Sequence, residues 1–84
     1  MYEILLERRA ERDLRQLSAD VFQRVVAAMQ GLADDPRPPG CKKLTGSVND
    51  WRIRVGDYRV LYEIGDHTKV VRVMRVRHRR DAYR

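Results

Sequence analysis

Two residues, Gly56-Asp57, constrain this chain more than any others. They separate the β-prone runs Trp-Arg-Ile-Arg-Val and Tyr-Arg-Val-Leu-Tyr, and glycine at the first central position suits a type II′ hairpin turn. A two-residue turn fixes the register. Val55 then faces Tyr58, Arg54 faces Arg59, Ile53 faces Val60, Arg52 faces Leu61 and Trp51 faces Tyr62, with successive side chains on opposite faces. One face carries Trp51, Ile53, Val55, Tyr58, Val60, Tyr62 and Ile64. The other carries Arg52, Arg54, Arg59, Leu61 and Glu63.

Like charges directly opposite each other, as Arg54 and Arg59 are, destabilise a strand pair by up to about 1 kcal/mol. An anion between them removes that cost, and guanidinium forks match phosphate oxygens. Two readings stay open from the hairpin alone. Either the arginines form a phosphate site, or they are a solvated face whose long stems splay into water.

Eighty-four residues suffice for one domain, residues 1–84, with a small core. The formal charge of +6 is unevenly spread, since residues 1–41 hold 6 basic and 7 acidic groups and residues 42–84 hold 12 and 5. The basic half favours a polyanionic partner. No apolar run is long enough to span a membrane and no signal-peptide pattern is present, so a cytoplasmic location is expected. Cys41 is the only cysteine, which precludes an internal disulfide, and with His67 and His78 it shows no metal-ligand spacing. Neither a metal nor another cofactor is expected.

Residues 2–6 read as a strand. Ala10, Leu14 and Leu17 recur at helical spacing, and Ser18 suits the N-cap of a second helix bearing Phe22, Val25, Val26, Met29 and Leu32 on one side. Asp34-Asp35-Pro36 ends it, and Pro36, Pro38, Pro39 and Gly40 make a stiff connection. After the hairpin, Gly65–Thr68 predicts a four-residue loop that pairs Ile64 with Lys69, Tyr62 with Val71 and Val60 with Val73. Arg72, Met74, Val76 and His78 would then join the arginine face. The pattern is α+β: an N-terminal strand, a two-helix hairpin, then a three- to four-stranded antiparallel sheet with helices on one face and the other open and basic.

Lys42, Lys43, Arg52, Arg54, Arg59, Arg75, Arg77, Arg79 and Arg80 would support salt-sensitive binding to nucleic acid. Cleaving RNA without a metal further requires removing a proton from a 2′-hydroxyl and giving one to the leaving 5′-oxygen. Arginine is poorly suited to that, whereas histidine ordinarily titrates near neutrality, which singles out His78. On local sequence alone, an ordinary packed or solvated role for His78 and Tyr83 is the commoner one.

Leu-X-X-Asp-Pro at 32–36, Lys-Lys-Leu-X-Gly at 42–46, the run from Trp51 to Tyr62 and His-Arg-X-Asp-X-Tyr at 78–83 together resemble the RelE family. That family lies within the RelE/ParE superfamily of type II toxin–antitoxin systems. The resemblance covers nearly the whole chain and implies a RelE-like microbial RNase fold. It also implies an mRNA endoribonuclease acting on ribosomes, which uses 2′-hydroxyl attack, leaves a 2′,3′-cyclic phosphate and inhibits translation. Arg52 and Arg54 fall where the best-known members use lysines, Arg59 and Arg79 match functional arginines, and Tyr83 matches the C-terminal tyrosine. His78 resembles the general acid of other members. Lys42, Lys43 and Arg77 would bind RNA. The implied partners are a RelB-type antitoxin, ribosome and mRNA, with operator DNA for the toxin–antitoxin complex. Two alternatives remain: a ParE-like gyrase inhibitor, and a non-catalytic module that binds nucleic acid or antitoxin.

Overall fold

The computed structural model describes residues 1–81. Strand β1 (Glu3–Leu6) leads into helices α1 (Arg8–Arg15) and α2 (Ala19–Gly31). Strands β2 (Lys42–Lys43), β3 (Asp50–Val55), β4 (Tyr58–Gly65) and β5 (Val70–His78) follow. They form one five-stranded sheet in the order β1-β5-β4-β3-β2. The α+β pattern holds, but the sheet is mixed, because β1 runs parallel to β5. Returning the first strand to the last as a parallel neighbour requires a crossover, which the helices supply.

Ser18 caps α2 as expected, its Oγ accepting from the Val21 amide at 3.4 Å. Ala10 and Leu14 from α1, Val25 and Met29 from α2 and Leu32 at the C-cap of α2 pack on Ile53, Val60, Tyr62, Ile64, Val71, Val73 and Val76. Phe22 shares the α2 stripe but stays 42% exposed in the first turn. Tyr62, the largest side chain fully enclosed, donates its hydroxyl to the Pro36 carbonyl at 2.7 Å, and burial pushes its phenol above the usual range.

The β3–β4 register is the one dictated by Gly56-Asp57, from Val55 opposite Tyr58 to Trp51 opposite Tyr62. Between β4 and β5 the expectation fails twice. Gly65 pairs with Val70 and Ile64 with Val71, so the turn occupies Asp66–Lys69 and the register lies two residues away from the expected one. An even slip leaves Val71 and Val73 on the helix side. A bulge then intervenes: Tyr62 pairs with Val73, Leu61 with Arg75, and Met74 is the extra residue. From there the faces exchange. Val76 faces Val60 in the core, 3% exposed, and His78 faces Tyr58, so neither joins the arginine face.

Asp13 holds the bulged segment. Strand β1 ends opposite Val73, which leaves the next part of β5 without that neighbour. The Asp13 carboxylate takes its place, accepting the Val76 amide at 2.9 Å and Arg75 Nε and Nη2 at 2.8 and 3.1 Å. This pairing raises the Arg75 guanidinium pKa further.

A second polar cluster ties three distant segments together. Arg37 binds Asp66 through both guanidinium nitrogens at 2.9 and 3.2 Å, the Tyr2 hydroxyl donates to Asp66 at 2.7 Å, and Arg37 lies 5.1 Å over the Trp51 ring. These bonds, Arg37 first and Tyr2 next, hold the Asp66 carboxyl at about 2. A carboxyl whose folded pKa is depressed contributes stability above its unfolded value, near 4, that is lost as pH falls toward 2. Thermal unfolding midpoints measured between pH 5 and pH 2 should therefore fall less steeply for Asp66→Asn than for the parent chain. Parallel curves would show that this pair contributes nothing to acid sensitivity.

Candidate nucleic-acid interface

On the sheet face without helices, strand pairing aligns the cations in two cross-strand rows. Arg54, Arg59 and Arg77 form the row nearest the hairpin turn; Lys42, Arg52, Leu61 and Arg75 form the next. The face is basic only at this end. Further along, Asp50, Glu63 and Arg72 align, and Arg72 reaches Glu63 at 4.0 Å. Glu63 falls on this face as its place in the hairpin predicts, and it balances the charge there.

Burial divides the arginines of this face. Arg52 is 5% and Arg59 8% exposed, and these are the buried charged residues among those described. They do not splay into water. Arg59 Nη1 donates to the Tyr58 carbonyl at 3.2 Å, yet Arg59 Nε and Arg52 Nη1 are buried with no hydrogen-bond partner. An unmet charged donor is costly, and Arg59 has an arginine on each flanking strand. An oxyanion between the rows would satisfy both the orphaned donors and the repulsion. Arg54 is exposed beside them and Arg77 half-buried, so this end of the face is open to an approaching anion.

Other expected site residues are distributed differently. Lys42 shares the arginine face, whereas Lys43 pairs with Trp51 and so takes the opposite one. Arg75 is engaged by Asp13 rather than free for a ligand. His78 lies at the end of β5 with its ring edge-on to Tyr58, centroids 5.3 Å apart. The Arg80 amide donates to His78 Nδ1 at 3.3 Å. Asp13, Gln16, Tyr58, Arg77 and Asp81 help line the cavity of 310 Å³ that it borders. The Arg79 amide donates to the Asp57 carbonyl at 2.7 Å, tying the segment after β5 to the hairpin turn. Tyr83 lies outside the described residues.

Asp13 and Arg37 carry no functional signal in the sequence. Asp13 sits among helix-forming charges that look like a solvated helix surface, and no spacing pattern marks it as a partner for residues more than sixty positions away. Among the described residues no group of His, Cys, Asp and Glu is arranged to hold a metal ion, and no helix is long and apolar enough to cross a membrane.

A two-helix layer over one sheet face, with paired arginines concentrated at one end of the other, defines a small α+β protein with a locally basic surface. The chain belongs to the ParE toxin family of type II toxin–antitoxin systems, within the RelE/ParE superfamily, the family model matching residues 4–83. It is 33% identical to Toxin RelG of Mycobacterium tuberculosis over 84 residues, covering 99% of this chain and 97% of that one. Among solved structures, the archaeal RelE of the RelE–RelB complex from Pyrococcus horikoshii superimposes with a TM-score of 0.84 at 26% identity, covering 96% of this chain and 98% of that one. The RelBE2 toxin–antitoxin complex of M. tuberculosis gives 0.81 at 30% identity, with coverage of 92% and 96%. The isolated E. coli RelE toxin gives 0.81 at 25% identity, covering 93% and 84%.

Proposed function

We propose that this toxin is a metal-independent endoribonuclease that cleaves mRNA on the ribosome and so inhibits translation. The observation that carries the reading is the pair of buried arginines, Arg52 and Arg59, whose unpartnered nitrogens lie on the same face as Arg54 and Arg77. In the proposed reaction the 2′-oxygen attacks the adjacent phosphorus while its proton leaves to a base. The bond to the 5′-oxygen breaks, that oxygen takes up a proton, and a 2′,3′-cyclic phosphate remains. Arg54 and Arg59 stabilise the extra negative charge of the pentavalent phosphorane, with Arg52 and Arg77 holding neighbouring phosphate oxygens. His78, at the end of β5 and facing Tyr58 rather than the arginine rows, is the candidate general acid, and the base that takes the 2′-proton is left unassigned. Arg79 and Tyr83 complete the substrate contacts, and Lys42 and Lys43 attract the RNA strand. Solved complexes of similar RelE proteins with RelB support pairing with a RelB-type antitoxin, and the joint complex would bind operator DNA.

One finding favours a second reading, inhibition of DNA gyrase: the family model matched is that of ParE. Primer extension on cellular mRNA after induced expression separates the two. Codon-phased cuts that vanish in Arg59→Ala and weaken in His78→Ala are expected. Growth arrest with intact mRNA and inhibited gyrase would establish the second reading, and no arrest would leave a binding module.

A further inference from the structure

Past Val73, β5 has no outer strand beside it among the described residues, and the cavity of 310 Å³ opens along this edge. Arg77 stands both in the row with Arg54 and Arg59 and in the cavity lining. A polyanion that crosses the row, over strands about 4.8 Å apart, therefore leaves the sheet at the cavity mouth. The cavity itself does not suit a phosphate. Two carboxylate residues, Asp13 and Asp81, line it, and the Arg75 guanidinium there is already bound by Asp13. A neutral group with donors and acceptors along its edge is what such a lining can satisfy. Tyr58 and His78 contribute two rings set at 81° to each other. Gln16, exposed at the C-cap of α1, contributes a side-chain amide that makes no hydrogen bond with the described residues. The volume, at the lower end of the roughly 300–1,000 Å³ of small-molecule sites, fits one nucleoside.

We propose that this cavity receives the nucleoside whose 5′-oxygen leaves, and that Gln16 determines which base is accepted there. The proposal rests on the endoribonuclease reading above. A general acid must come within about 3 Å of the oxygen it protonates, so a phosphate among Arg54, Arg59 and Arg77, with His78 as the donor, brings the leaving ribose to the cavity that His78 borders. The base attached to it is then directed past Tyr58 toward α1. Unpaired RNA bases are commonly held in this way, splayed onto an aromatic ring and hydrogen-bonded along an edge. Gln16 offers an amide with two donor hydrogens and a carbonyl acceptor, and the four bases order their own groups differently, so they are held unequally. The arginine rows take phosphates, and the cavity takes a base.

Dinucleoside monophosphates with a 2′-deoxy first sugar, and A, G, C or U as the second base, present one phosphate that cannot be cut. Titration followed by nuclear magnetic resonance should give dissociation constants spread at least about fivefold across the four, with the Gln16 side-chain amide and the Tyr58 ring among the resonances that shift. Gln16→Ala should narrow the spread to less than about twofold. Arg59→Ala should weaken all four by a similar factor, since it removes a phosphate contact and no base contact. In primer extension, the preference for the base after the cut should flatten in Gln16→Ala. Equal affinities for the four second bases in the parent chain overturn the proposal, as does a spread or a cut-site preference that Gln16→Ala leaves intact. A wider spread when the first base is varied instead of the second overturns it too. The titrations need no turnover. Cuts that depend on Arg59 without discrimination at the second base sink the cavity alone, whereas discrimination without any cuts sinks the nuclease reading.

Discussion

Arg59→Met should reduce mRNA cleavage by at least about a hundredfold while raising the stability of the free protein by about 1 kcal/mol. Methionine matches the unbranched stem and removes a buried charge whose Nε has no partner and whose cross-strand neighbours are Arg54 and Arg77. That charge meets repulsion and incomplete hydrogen bonding, and a bound anion would relieve both. Inorganic phosphate should accordingly raise the unfolding midpoint of the parent chain and have a smaller effect on Arg59→Met. Urea denaturation with and without phosphate, alongside primer extension, measures all three quantities. If Arg59→Met destabilises the protein, Arg59 is a packing element and its orphaned donor is no sign of an anion site.

Asp13→Ala should cost about 3 kcal/mol, a large share of the roughly 5–15 kcal/mol by which small domains are stable. Its carboxylate holds three donors, two on Arg75 and the Val76 amide, with the Asp13 side chain only 14% exposed. Removal leaves the amide unmet and Arg75 without its counter-charge. Asp13→Asn retains one acceptor oxygen, so a loss of about half that size is expected. Chemical denaturation of both variants provides the check. Equal stability of Asp13→Ala and the parent would mean that water replaces the carboxylate at no cost. Since Asp13 bridges α1 to the bulged part of β5, its loss should also loosen the segment bearing Arg77 and His78.

These two residues mark opposite ends of what is legible in the chain. The face and the cross-strand partner of Arg59 follow from local sequence, because only two turn residues separate its strand from that of Arg54. The α+β class, the two-helix layer and the Ser18 cap follow from equally short-range signals: apolar residues at helical spacing and a side chain bonding three residues ahead. The parallel contact of β1 with β5, by contrast, joins residues separated by nearly the whole chain. No local propensity encodes it. Arg75 illustrates the same limit within the site, where its residue type suggests a phosphate ligand and the fold gives it to Asp13 instead.

By itself the sequence determined the hairpin, its register and the sharing of one face by Arg52, Arg54 and Arg59, since a two-residue turn leaves the strands no freedom to slip. Only the tertiary structure decided how β5 joins them. The turn at Asp66–Lys69 shifted the pairing by two residues, and the extra residue at Met74 carried Val76 into the core and His78 to the side of Tyr58. Side chains alternate along a strand, so one bulged residue inverts every assignment beyond it. Burial was decided at the same level. Which arginines lose contact with water depends on everything packed around them, and it is this loss that leaves Arg52 Nη1 and Arg59 Nε buried without a hydrogen-bond partner.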